Sequence, residues 1–265
     1  MNMKEYYSVV PGEKPLDRMV TDGGFAGIFR SICCIGDSLS SGEFESLDAN
    51  GNVGYHDMFE FSWGQFIARD TGAKVYNFSA GGMSSQGYIN IYSDAHGCWN
   101  TDKLCQCYIL ALGVNDLFGL KQEVGSVSDM EPDENGNYKE TFAAYYGRIV
   151  RRIKDINPDA YMFFMSMPRY GDDGDPKREA HAAFLNELTK KFSRSYVIDL
   201  YKYAPVYDAE FKSHFFMSGH MNPAGYLLTA RMVESYIDFI IRSNPEHFSK
   251  VGYIGTPYDN VNYKS

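Results

Sequence analysis

The 265-residue sequence contains no apolar run approaching the ~20 residues that a membrane-spanning helix needs. Its opening stretch, Met1 to Val10, also lacks the apolar core of about 7–15 residues that marks a secretory signal. Both absences lead to the expectation of a cytoplasmic protein with no membrane partner. Cations are in short supply: 25 Lys and Arg stand against 34 Asp and Glu, a net charge of −9. That balance argues against nucleic acid or an anionic surface as partner. The five cysteines show no disulfide-framework spacing. Cys33 and Cys34 lie inside one apolar run and Cys105 and Cys107 alternate within another, which reads as buried free thiols. A zinc site from Cys98, Cys105 and Cys107 would lack a paired C-x-x-C, so no metal is expected. There is no P-loop and no H-E-x-x-H. Gly23-Gly24-Phe25-Ala26-Gly27 precedes a strand instead of following one, which excludes a dinucleotide loop. No organic cofactor is expected either.

What is present is an alternation of short apolar runs with helical patterns. Ser31–Ile35, Lys74–Phe78, Cys107–Leu112, Tyr161–Met165 and Tyr196–Leu200 read as buried strands, each too short for a helix. Between them, Asp57 to Thr71, Phe142 to Ile156 and Pro176 to Phe192 carry apolar residues at helical spacing. A last helix opens on Asn222 as N-cap and Pro223 as first residue. This pattern predicts an α/β fold: three layers, with about five parallel strands between helices. The whole chain, 1–265, reads as one domain, with 1–30 and 243–265 wrapping it and the polar stretch 121–138 as a surface insertion.

Chemistry in such a sheet gathers at the C-terminal strand ends. After the first run comes Gly36-Asp37-Ser38-Leu39, which presents a serine at the tip of a buried strand. After the second comes Ala80-Gly81-Gly82-Met83, whose glycines allow close backbone approach and could present N–H groups to an anion. After the third, Gly113-Val114-Asn115-Asp116 offers a side-chain amide donor; Asp116 reads as a cap or turn anchor. After the fifth, Ser218-Gly219-His220-Met221-Asn222-Pro223 carries a histidine. Each signal alone is weak. Together they supply a nucleophile, a base and oxyanion donors, which is what acyl transfer requires.

With these blocks the sequence resembles the SGNH, or GDSL-type, hydrolase family over roughly Ser31 to Ile240. The resemblance implies a flavodoxin-like architecture and a serine esterase acting through an acyl-enzyme. It implies Ser38 as nucleophile and oxyanion donor, Gly82 (with Gly81 as fallback) and Asn115 as further donors, and His220 as base. The family's acid, three residues before the histidine, is missing: position 217 is Met. Three arrangements stay open. A main-chain carbonyl near Met217 or Ser218 could hold the imidazole, a carboxylate such as Asp208 or Glu210 could replace the acid, or the site has decayed. The tight Gly219-containing loop leads us to expect the carbonyl.

The expected substrate is a small-molecule ester with a short acyl group, on a carbohydrate or other polar compound, because no apolar lid is visible. A lipase or thioesterase of the same family, or a non-catalytic binding protein on the same scaffold, is the alternative.

Overall fold

The computed structural model describes residues 9–258. The first eight and last seven residues of the two predicted wrapping segments lie outside that range. Five parallel strands form the central sheet: β1 (Ser31–Gly36), β4 (Lys74–Asn77), β5 (Cys107–Ala111), β6 (Tyr161–Met165) and β7 (Ser195–Ile198), in the spatial order β4-β1-β5-β6-β7. Counting only these strands, the order is 2-1-3-4-5, the doubly wound arrangement whose switch point falls between the first and third. Here that crevice lies between β1 and β5.

Strand periodicity sorts the core. Ile32, Cys34, Ile109 and Phe163 face one side, and Cys33, Ile35, Leu110 and Phe164 face the other. The first side is covered by α2 (Trp63–Thr71) and α6 (Pro223–Ser243), the second by α3 (Phe142–Ile156) and α4 (Asp175–Thr189). The result is the three-layer α/β/α fold. All five cysteines are buried and free. Asn222 caps α6 by accepting from the Gly225 N–H at 3.0 Å, as its sequence signature predicts.

Residues 13–25 are tied to α6. Arg242 pairs with Glu13 at 2.6 Å and Asp238 at 2.7 Å, and the Val20 N–H donates to Ser235 Oγ at 2.9 Å. The stretch 121–138 is less peripheral than its polarity suggests. Met130 is buried against Gly147, where an added Cβ would fall 2.4 Å from Met130 Cγ.

One element is absent from the sequence reading. Between β1 and α2 the chain makes an antiparallel hairpin, β2 (Glu43–Leu47) and β3 (Val53–Asp57). The helix expected from Asp57 consequently starts only at Trp63, with Ser62 as its N-cap.

Candidate active site

At the end of β1 the chain turns at once into a short helix, α1 (Ser38–Ser41). Asp37 caps it, accepting from the Leu39 N–H at 3.0 Å. Gly36 is required sterically, because a Cβ there would sit 2.1 Å from Ser40 Oγ. Ser38 is thereby held at the first helical position, half-buried, at the mouth of the β1–β5 crevice.

At the end of β5, the Asn115 amide donates to the Met83 carbonyl at 3.0 Å, which links it to the loop after β4 that carries Gly81 and Gly82. Gly82 has φ +69, a conformation suited to glycine. Asp116 is fully buried and accepts from the Ser85 N–H at 2.8 Å, so it anchors the same loop. Burial pushes its carboxyl up to about 6.

His220 sits on a tight turn after α5 (Ala209–Phe215). Phe216 bridges to Met221, and the Met217 N–H donates to the His220 carbonyl at 2.8 Å. The β2–β3 hairpin reaches over to this turn. Its first strand reads Glu43-Phe44-Glu45, and alternation puts both carboxylates on one face and the ring on the other. Phe44 stacks on Tyr226 of α6 at 5.9 Å, and the Tyr226 hydroxyl donates to the Glu43 carbonyl at 2.7 Å. With the hairpin fastened there, Glu45 Oε1 accepts from His220 Nδ1 at 2.6 Å and from the Gly219 N–H at 2.8 Å. Glu43 Oε1 lies 3.2 Å from His220 Nε2, and Tyr55 of β3 packs edge-on to the imidazole at 5.8 Å.

The two glutamates differ electrostatically. Burial acts to raise the Glu45 carboxyl, but hydrogen bonds from His220, the Gly219 N–H and Ser218 outweigh it and hold it below the usual range. At Glu43 burial wins over the pull of His220, and the carboxyl is raised. Glu45 is the anion that orients the imidazole; Glu43 is the easier of the two to protonate.

Ser38, Asn115, Gly219 and His220 line one cavity of about 350 Å³. Gly82 does not line it. Among the described residues no group of three His, Cys, Asp or Glu side chains is gathered as a metal site.

The family model for GDSL-like lipases and acylhydrolases matches residues 34–228. The chain belongs to that family. No curated protein sequence matches it significantly. Among solved structures, a family two carbohydrate esterase from Clostridium thermocellum, in complex with cellohexaose, is 15% identical with a TM-score of 0.57 over 82% of this chain and 65% of that one. A psychrotrophic esterase from Pseudoalteromonas, inhibited by monoethylphosphonate, is 15% identical with a TM-score of 0.52 over 80% of this chain and 98% of the other. A Lactobacillus plantarum protein is 18% identical with a TM-score of 0.56, covering 79% of this chain and 97% of that one. At these identities the likeness is one of fold. Membership of the GDSL family makes the protein an ester hydrolase of the serine type.

Against the family pattern, the carboxylate on His220 is neither Asp208 nor Glu210, and no main-chain carbonyl takes its place. Asp208 is the N-cap of α5 and accepts from the Phe211 N–H at 2.9 Å. Glu210 is exposed in the first turn of the same helix. Both are near His220 in sequence, but the Phe216–Met221 turn aligns His220 with the hairpin instead. Among the described residues no helix is long and apolar enough to cross a membrane.

Asp37 adds a pH-dependent feature. It is 2% exposed, and burial pushes its carboxyl up to about 7, against the pull of the Leu39 N–H. The folded chain therefore keeps this proton up to about pH 7, whereas an unfolded Asp releases it near its ordinary value of 3.8. Stability from this group is complete below the unfolded value and is lost as pH rises through 7. Asp37→Asn cannot ionise and keeps a capping oxygen. Its melting temperature relative to the parent should climb between pH 5 and pH 8, by at least ~2 °C. Melting curves with a constant difference across that range would show that Asp37 is ionised throughout.

Proposed function

We propose that the protein hydrolyses esters through an acyl-Ser38 intermediate, with His220 as base and Glu45 as its orienting acid. The observation that carries this reading is the 2.6 Å Glu45–His220 Nδ1 hydrogen bond beside a cavity shared by Ser38 and Asn115. Glu45 keeps the proton on Nδ1 and leaves Nε2 to act as acceptor. Ser38 Oγ attacks the ester carbonyl carbon while His220 Nε2 takes its proton. The C–O bond to the alcohol then breaks, and the alcohol leaves with that proton. Water repeats the sequence in the second half: His220 takes a proton from it, the water oxygen bonds to the acyl carbon, the bond to Ser38 breaks, and His220 returns the proton to Ser38 Oγ as the acid leaves. The Ser38 N–H and the Asn115 amide, both at that cavity, serve as donors for the oxyanion; Gly82 lies outside it and is not among them. Glu43, on the Nε2 side, supports the imidazolium that forms.

For the alcohol part we favour a carbohydrate or similar polar group. Two observations support this. The carbohydrate esterase from Clostridium thermocellum shares the fold. Tyr55, 60% exposed beside His220, offers a sugar ring a stacking surface. The test is a fluorophosphonate probe followed by peptide mass mapping. We expect one adduct, on Ser38, and parallel loss of p-nitrophenyl acetate turnover. A protein that hydrolyses the ester while its Ser38 peptide stays unmodified would refute the nucleophile assignment.

A further inference from the structure

A second cavity, of about 430 Å³, lies behind the nucleophile, under the C-terminal ends of β5 and β6 and against α6. It shares Asp37, Leu39, Val114, Tyr170 and Lys212 with the cavity of Ser38 and His220, so the two are neighbours on either side of a common wall. Beyond that wall its lining is largely apolar: Trp63, Ala111, Leu112, Met165, Met167 and Leu200 are representative.

Several of the polar groups among its walls are already engaged with the protein. Trp63 Nε1 donates to Ser40 Oγ at 3.3 Å, Ser166 Oγ donates to Asp199 at 3.1 Å, and Thr229 Oγ1 donates to the Gly225 carbonyl at 2.9 Å. Arg178 is paired with Asp172 at 2.5 Å and Asp175 at 2.8 Å. Tyr170 is braced by cations, with Arg178 4.1 Å and Lys212 4.3 Å from its ring centroid. Such a chamber suits an apolar occupant.

We infer that this chamber receives the acyl chain of the ester at Ser38, so that the protein prefers medium-chain acyl esters, about eight carbons long, to acetyl esters. The inference rests on the hydrolase reading and extends it beyond the short acyl group expected from the sequence. At the ~30 Å³ that a water-sized group occupies in a liquid, the chamber's volume has a ceiling of about fourteen such groups, and an octanoyl chain fills roughly half. Burying one methylene is worth about a fourfold change in an equilibrium, so two or three well-placed methylenes give more than tenfold.

The experiment compares kcat/KM for p-nitrophenyl octanoate and acetate in the parent and in two variants that fill the chamber from opposite sides, Ala111→Leu and Thr229→Leu. In parallel, binding of octanamide and acetamide to the Ser38→Ala protein is followed by tryptophan fluorescence, since Trp63 lines the chamber. We expect the parent to favour octanoate at least tenfold. Each filled variant should lower the octanoate-to-acetate ratio at least tenfold, and octanamide should bind where acetamide does not. Acetate turnover equal to or above that of octanoate, with no octanamide binding, overturns the acyl chamber and leaves the hydrolase reading intact. Octanamide binding in a protein that hydrolyses neither ester supports the chamber and overturns the role of Ser38 instead. If a filled variant does not fold, the parent's ratio and octanamide binding decide the question.

Discussion

Ser38→Ala is expected to lower ester turnover by about 10⁴-fold or more, and to abolish fluorophosphonate labelling, while the melting temperature stays within a few degrees of the parent. Removing the nucleophile of a serine hydrolase leaves only the contribution of the oxyanion donors and substrate binding, which is why losses of about 10⁶ in kcat occur when it is deleted. The fold does not depend on the hydroxyl. The turn after β1 is held by Asp37, which caps the Leu39 N–H, and by Gly36 against Ser40. Steady-state kinetics with p-nitrophenyl acetate, checked against residual contaminating activity, measures the loss. A variant retaining a tenth of the parent rate would remove Ser38 from the mechanism.

Glu45→Gln should cost about 10³–10⁴ in kcat with little change in KM. Gln preserves size but carries no charge to stabilise the imidazolium, and its amide can present an N–H to Nδ1 and so select the wrong tautomer. The corresponding change of an Asp in a serine protease triad costs about 10⁴. Asp208→Asn and Glu210→Gln should leave turnover within about twofold, since both side chains lie on α5 away from the imidazole. Running the three variants side by side separates a specific acid from a general loss of negative charge around His220. Equal, small losses in all three would show that the 2.6 Å contact does not govern catalysis.

The acid escaped the sequence reading for a definite reason. Attention to strand ends and to the position three residues before His220 led to Met217 and its neighbours. Glu45 is 175 residues away from His220 along the chain. A local signal for the hairpin that carries it was nonetheless present. Asp48-Ala49-Asn50-Gly51-Asn52 is a turn cluster with Asn-Gly at its centre, and Gly51 adopts φ +82. The segment before it alternates Glu43, Phe44, Glu45. Reading that alternation would have placed two carboxylates on one face of a strand immediately after the nucleophile. It would not have said which histidine they meet. That depends on Phe44 and Tyr226 clamping the hairpin to α6.

What the sequence determined by itself was the part governed by local rules. The five sheet strands, the α3 and α6 helices, the Asn222 cap and the serine at the tip of β1 follow from periodicity, capping and turn chemistry, all of which act within a few residues. The order β4-β1-β5-β6-β7, with its crevice at β1 and β5, agrees with the architecture those elements implied. Only the tertiary structure decided the partner of His220, the burial of Asp37 and Asp116, and the chamber behind Ser38. A hydrogen bond between distant residues is set by how helices and hairpins pack, and a carboxyl's proton affinity by the desolvation that packing imposes. A cavity is the volume that all the surrounding side chains jointly leave unfilled, so no segment of the chain encodes it alone.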